Sequence, residues 1–383
     1  MRITVAPDSL KESLSAAEAA AAIASGLRRA MPAASIDCAP MADGGEGTVD
    51  ALVAATGGRK ARARVTGPLG EPLVAEYGLL GDGQTAVIEM AAASGLPLVP
   101  QERRNPLLTT TRGTGELIRA ALDQGVRRIL IGVGGSATVD GGAGMAQALG
   151  VRFLDVNGKE LPPGGGALER LARIDASALD RRVRGVEILV ASDVTNPLCG
   201  PQGAARIYGP QKGATSAMVE RLDRNLIRLA EVIRRDLGVD VLKLPGGGAA
   251  GGLGAALVAF LGARICSGAE LVMETVGLPQ RIAASQWVIT GEGRIDRSSA
   301  YGKTVAAVAR AAQAAGVPVI VLAGSIGPGA EVVHELGVTA FFSILSRPMP
   351  LSEALGEASA LLEAAAFQVG HLLAIHQTPG VAE

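Results

Sequence analysis

Residues 288–304 read VITGEGRIDRSSAYGKT. The closing Gly302-Lys303-Thr304 has the look of the tail of an ATP-binding P-loop. Such a loop also needs a glycine five residues before the one preceding the lysine, so that backbone N–H groups wrap the phosphates. Arg297 stands there, and the nearest earlier glycine, Gly293, makes the loop too long. What is left is a strand over Trp287–Thr290, a loop carrying Glu292, Arg294 and Asp296, and a helix starting near Lys303. A strand-to-helix loop with charges at a helix N-terminus suits an anion. An ordinary βα turn with solvated charges is the plain alternative.

The same strand-then-helix rhythm continues from this stretch to the end of the chain. VPVIVLAG reads as a strand, AEVVHELG as a helix, TAFFSIL as a strand and LSEALGEASALLEAAAFQVGHLLAI as one long closing helix. The rhythm also opens the chain. RITVAP is a strand, and SAAEAAAAIASGLRRAM an amphipathic helix with Ser15 and Glu18 in capping-box spacing. SIDCAPM and GTVDALVAATGG repeat the pattern. Between the two ends the texture changes. RKARARVTGPLGEPLVAEYGLLGDGQTAVIEM alternates in short runs broken by Gly-Pro and Gly-Asp-Gly, the signature of antiparallel hairpins. Sequential βα units join one parallel sheet. The expectation is therefore an α/β protein of two domains. Residues 1–60 and 285–383 build a discontinuous, doubly wound parallel sheet. Residues 61–284 form an inserted second α/β domain, with the active site in the cleft between them.

Composition narrows the function classes. The chain has 383 residues, 48% of them apolar but only 2% aromatic, so its core must be built from Ala, Val, Leu and Ile. Its 52 glycines show no repeat period and imply tight turns and close backbone approaches. A net charge of −1 and the lack of any basic stretch interleaved with aromatics argue against nucleic acid as a partner. Cys38, Cys199 and Cys266 are too dispersed for a zinc site. No secretory leader pattern opens the chain, and the uncharged run between Lys243 and Arg264 contains Pro245 and a glycine cluster. A cytoplasmic protein without a membrane partner is expected.

Five loops follow apolar runs and carry chemistry. The first holds Asp8, Ser9 and Lys11. The second is Asp43-Gly-Gly-Glu46, an acid pair among glycines that suits a metal or a hydroxyl. The third, GVGGSATVDGGAG, offers Gly134, Gly135 and Ser136 as a nest for phosphate or carboxylate. It lacks the GxGxxG spacing of a dinucleotide site. The fourth places Asp193 and Asn196 after EILV, with Lys212 not far on. An acid, an amide and a lysine are what phosphoryl transfer demands: the acid holds magnesium or takes a proton, and the lysine neutralises developing charge. The fifth is the opening stretch, with Glu292, Arg294, Asp296 and Lys303. The glycine run 245–252 reads as a place where only glycine lets backbone approach a ligand closely. His334, His371 and His376 all lie in the C-terminal helical region, so base catalysis falls to a carboxylate.

PDSLKESLSA, PMADGGEGT, GGSATVDGGAG, SDVTNPLCGPQGAARIYGPQKGA and TGEGRID…GK together resemble, in order, the signatures of bacterial glycerate kinases of the glycerate 2-kinase type. Leu10 stands where that family usually shows an aromatic, and Arg297-Ser298 where it often shows Gly-Gln. The resemblance implies a flavodoxin-like part joined to a second α/β part. It implies ATP as co-substrate, Mg2+, and conversion of D-glycerate to 2-phosphoglycerate. Asp193, Asp296 and Lys303 are then the expected catalytic groups. Asp8, Ser9, Lys11, Gly134, Gly135, Ser136, Asn196, Lys212 and Arg294 would bind substrate or phosphate, and Asp43, Glu46, Asp193 and Glu292 metal. Transfer to the 3-hydroxyl, giving 3-phosphoglycerate, or to a related hydroxy acid, is the nearest alternative. A nicotinamide-dependent oxidoreductase and a two-lobed sugar-acid binding protein are the alternatives from other classes. The oligomeric state stays open, a homodimer included.

Overall fold

The computed structural model of the chain describes residues 1–300 and 304–375. Its strands, in chain order, are β1 (Arg2–Val5), β2 (Ser35–Cys38), β3 (Arg59–Thr66), β4 (Pro72–Leu79), β5 (Thr85–Glu89), β6 (Arg128–Gly132), β7 (Arg152–Leu154), β8 (Arg173–Asp175), β9 (Glu187–Ala191), β10 (Arg264–Cys266), β11 (Trp287–Ile295), β12 (Val319–Ile326) and β13 (Val338–Ser343). They form a five-stranded sheet ordered β13-β12-β11-β1-β2, a six-stranded sheet ordered β10-β9-β6-β5-β4-β3, and a β7–β8 pair. The chain divides into two compact units. Unit 1 takes Met1–Asp43, Asp50–Gly57 and the chain from Ala269 on, and unit 2 takes Gly44–Val49 and Gly58–Gly268.

All pairings in the five-stranded sheet are parallel. Counted by appearance within unit 1, the strand order is 2-1-3-4-5, the flavodoxin-like doubly wound order. Ile3, Val5, Ile289 and Leu322 project into its core and are fully buried. The helix Ala16–Ala30 starts as its sequence dictates. Glu18 N–H donates to the Ser15 hydroxyl at 3.2 Å, and Ser15 N–H donates to the Glu18 carboxylate at 2.9 Å. This helix packs against Ala358–Ile375. That second helix is long and apolar enough to cross a membrane by length and composition alone. It instead lays Leu362, Ala366, Val369 and Leu373 into the unit 1 core.

Four expectations change here. Strand β11 does not stop at Thr290. It pairs with β12 through Ile295↔Ile326, so Glu292 and Arg294 belong to a strand rather than a loop. Fully buried Ile295 anchors that extension. The segment Ala330–Leu336 is a 3-10 helix, and the closing helix breaks at Glu357 into Leu351–Gly356 and Ala358–Ile375. The unit boundaries also differ from 60 and 285. Leu278–Ala283 goes with unit 1 because the Arg281 guanidinium donates to Asp37 Oδ1 at 3.0 Å and to the carbonyls of Cys38 and Ala55.

In unit 2, β3, β4 and β5 are antiparallel neighbours, whereas β5, β6, β9 and β10 run parallel. Along β3 the alternation is plain: Lys60, Arg62 and Arg64 are exposed while Ala61, Ala63 and Val65 turn inward. The core is aliphatic, with one edge-to-face ring pair, Phe153–Phe260, at 5.7 Å. The Gly44–Val49 segment joins this unit because it lies across the carboxyl ends of its strands. Gly44 packs against Ala191 and Gly132, and Val49 N–H donates to the Glu89 carboxylate at 2.8 Å.

Gly26 sets the approach of the two unit 1 helices, since a Cβ there would sit 2.2 Å from the Glu363 carbonyl oxygen. Gly26→Val should lower unfolding free energy by about 1–3 kcal/mol, the range for overpacking. The denaturant midpoint measures it. Gly185→Val, where a Cβ meets nothing within 4 Å, serves as the comparison.

Candidate functional site

In unit 1 the strand order reverses at β1, whose neighbours are β2 on one side and β11 on the other. Ligands of open α/β sheets bind outside the carboxyl ends of strands at such a switch point. Asp8 and Ser9 leave β1 here, beside Gly291 and Glu292 of β11. Asp8 N–H donates to the Gly291 carbonyl at 2.8 Å and locks the loop to the strand. The carboxylate is held at both oxygens. Oδ1 accepts from Ser9 N–H at 2.6 Å, and Oδ2 from the Thr304 hydroxyl at 2.6 Å. Burial pushes the Asp8 carboxyl above its ordinary range. The Thr304 hydrogen bond opposes this, the neighbouring Asp43 charge adds to it, and Ser9 and Lys11 pull it back.

Glu292 and Asp296 are held by partners close in sequence. Glu292 is 9% exposed and accepts from the Ser299 hydroxyl at 2.5 Å. Asp296 pairs with Arg294 at 3.1 Å and accepts from both the N–H and the hydroxyl of Ser298. Arg294, expected on a ligand, is thus exposed and ion-paired to its own neighbour. Lys11 is exposed. Lys303 and His376 lie outside the described residues.

In unit 2 the loop after β6 is the most built. Gly134 and Gly135 are exposed, and Ser136 is buried behind them. Gly135 needs its φ of +71°, where a side chain would be strained. Lys212 reaches this loop from behind and is only 2% exposed. Its ammonium donates to Ser136 Oγ at 2.7 Å and to the Thr138 carbonyl at 2.8 Å. Burial lowers the lysine to about 7, against the pull of the Asp140 charge. Asp140 is fully buried and accepts from Thr111 N–H and Oγ at 2.8 Å each, from Gly142 N–H at 3.0 Å and from Gly144 N–H at 3.2 Å.

The loop after β9 is tied to its own surroundings. Asp193 is exposed, and its Oδ1 accepts from Gly268 N–H at 2.9 Å, where the helix Gly268–Thr275 begins. Asn196 accepts from the Tyr208 hydroxyl at 2.7 Å and donates to the Gln202 carbonyl at 2.8 Å. The glycine run 245–252 is not a ligand cradle. Its glycines are required by protein backbone: a Cβ on Gly251 would sit 1.9 Å from the Thr138 carbonyl, and one on Gly248 2.3 Å from that of Pro197. Ala250, Gly251 and Gly252 are all left-handed, so regular helix resumes only at Leu253.

The four acids expected on a metal divide as Asp43 and Glu292 in unit 1 and Glu46 and Asp193 in unit 2. Among the described residues, no group of three or more His, Cys, Asp or Glu could hold an ion. The sequence reading missed Thr304, Ser299 and Thr111. A hydroxyl residue at the start of a helix was the available signal for Thr304 and Thr111.

The chain matches the model of the glycerate kinase family over residues 3–374. It is 56% identical to the glycerate 2-kinase of Escherichia coli K12 over 354 residues, 92% of this chain and 93% of that one. It is 54% identical to the glycerate kinase of Halalkalibacterium halodurans, covering 96% and 97% of the two chains. The fold matches the crystal structure of a Salmonella typhimurium LT2 protein assigned as glycerate kinase 2. That match has a TM-score of 0.91 and 52% identity, over 99% of this chain and all of the other.

Lys212 has a consequence for stability. Its folded value of about 7 lies below its ordinary 10.5. Below pH 7 both folded and unfolded chains hold the proton, and the full cost of burying the charge is present. Between about 7 and about 10.5 the unfolded chain binds more protons, so stability rises with pH. Lys212→Met should remove that rise. The difference between the two proteins' unfolding free energies, measured from neutral to alkaline pH, isolates it.

Proposed function

The chain belongs to the glycerate kinase family, and on that premise we propose that it transfers the γ-phosphoryl group of ATP to the 2-hydroxyl of D-glycerate. The products are 2-phosphoglycerate and ADP. The observation that carries the reading is Asp8 at the switch point of the unit 1 sheet, doubly hydrogen-bonded and pushed upward by burial.

Phosphoryl transfer asks for positioning, a proton acceptor and charge neutralisation. Asp8 is our proton acceptor, in place of Asp193 and Asp296. The Asp193 carboxylate holds the start of a helix, and that of Asp296 holds Arg294 and Ser298. Asp8 is oriented by Thr304 and Ser9, and burial raises its affinity for a proton toward what a base working near neutral pH requires. It takes the proton of the attacking hydroxyl as the bond from that oxygen to phosphorus forms and the bond to the ADP oxygen breaks. Asp43, whose charge acts on Asp8, would hold Mg2+ with the nucleotide. Magnesium supplies neutralisation of phosphate charge. Gly134, Gly135 and Ser136 take an anionic oxygen of the reactants. All three cysteines are free thiols, which supports the cytoplasm as the compartment.

ATP consumption should require both D-glycerate and a divalent metal. Undiminished turnover after thorough chelation would remove the metal from the reading. Phosphorus NMR of the product separates 2-phosphoglycerate from 3-phosphoglycerate directly. Asp8→Asn keeps shape and removes the base, and kcat should fall by about 10²–10⁴-fold with the melting temperature little changed. Asp193→Asn should cost less. The reverse ranking would return the base to Asp193.

A further inference from the structure

Lys212 is the least expected charge in the molecule. Lysine is almost never fully buried unless paired, yet this one is sealed behind the exposed Gly134-Gly135 turn. It therefore meets no solute in solvent directly. Its proton donors go to Ser136 Oγ and the Thr138 carbonyl. Because Ser136 Oγ accepts from an ammonium, its own hydrogen must point elsewhere, and it has no acceptor among the described residues. Thr138 Oγ1, two residues on, is likewise buried without a partner. The charged groups around Lys212 are few. Asp140 acts on it from the loop after β6. Arg104, whose backbone lies against Gly213, sends its guanidinium to the Val99 carbonyl instead.

We propose that Lys212 and Ser136 form a relay that presents one strengthened hydrogen-bond donor, the Ser136 hydroxyl, to an anionic oxygen of a reactant bound at the carboxyl end of β6. Lys212 is a positioning residue: it touches Ser136 and not the ligand. An oxygen that accepts from a cation makes its own O–H a stronger donor, as in any polarised hydrogen-bond chain. The anionic oxygen comes from a carboxylate or from a phosphoryl group. The relay deepens the kinase reading and rests on it for the identity of the ligand. Its thermodynamic mark is distinct. An anion on Ser136 favours the protonated lysine, whose unliganded value is about 7. Binding should take up a fraction of a proton near neutrality, and more as pH rises, while affinity weakens.

The test is isothermal titration of the full chain with D-glycerate and, separately, with sulfate, an ionised stand-in for phosphoryl. It is run at about pH 6.5 and about pH 8, in buffers of different ionisation enthalpy, so that proton uptake is read directly. Uptake with D-glycerate assigns the relay to the carboxylate, and uptake with sulfate to phosphoryl. Ser136→Ala deletes one oxygen and leaves the Thr138 bond to Lys212. It should weaken that anion by about 10- to 100-fold and abolish the uptake. Lys212→Met should match the wild type's weaker affinity at the higher pH at both values. A purely structural lysine would leave proton uptake at zero. Binding without uptake, binding by Ser136→Ala within about 2-fold of wild type, or no binding of either anion overturns the relay. Glycerate-dependent ATP consumption is measured alongside. An active chain without uptake sinks the relay alone, and an inactive chain that takes up a proton with sulfate sinks the kinase reading alone.

Discussion

One carboxylate, sealed from water, organises the functional end of unit 2. Asp140 gathers donors from Thr111, Gly142 and Gly144, and the Thr111 hydroxyl is shared in turn with the N–H of Met145 at 2.9 Å. Those contacts fix the starts of two helices, Arg112–Asp123 and Ala143–Ala148, against one another. The approach leaves no room for a side chain at Gly144, where a Cβ would sit 2.1 Å from Thr110 Oγ1. An unpaired buried charge is costly. Here its hydrogen bonds and the field of Lys212 offset that cost. The loop from Gly134 to Thr138 is thereby pinned at both ends, by β6 and by Asp140, and Lys212 braces its middle.

The two units handle charge in opposite ways. In unit 1, acids at the switch point are steadied by neutral hydroxyls, Thr304 on Asp8 and Ser299 on Glu292. Such partners orient the carboxylates, and at Asp8 burial outweighs the hydroxyl and raises its affinity for a proton. In unit 2, a cation is steadied by a serine and a carbonyl and meets the buried Asp140 only through space. Burial shifts the two groups in opposite directions, Asp8 upward and Lys212 downward. Both sit at carboxyl ends of parallel strands, where loops are anchored at one end by the sheet.

Much of this was legible in the sequence, for definite reasons. Apolar alternation marked β1, β11 and β12, and the Ser15–Glu18 spacing marked a helix start, because both are local signals. A charged loop after the first strand drew attention to Asp8, and the Gly134-Gly135 pair to Ser136. The extension of β11 to Ile295 was not legible, since pairing with β12 overrides the glycines that look like a turn. Nor was the depth of Lys212, because a lysine in a Gly-Pro-Gln-Lys-Gly run reads as exposed. The glycines after Pro245 were misread for a related reason. Sequence shows that close approach is needed there, but not that the approaching partner is Thr138 and Pro197 of the chain itself.

The pairing of Ile3 with Trp287 joins residues at opposite ends of the chain. During synthesis the N-terminal strand can find β2 and its helix at once, but its other edge stays open until β11 emerges. At 5–20 residues per second that wait is about 14–57 s for the 284 positions from Ile3 to Trp287. Unit 2, whose larger part runs unbroken from Gly58 to Gly268, is synthesised entirely within that wait. Of the strand edges that the described sheets eventually pair, that of β1 waits longest for its neighbour, and a chaperone or a neighbouring nascent chain can meet it in that interval.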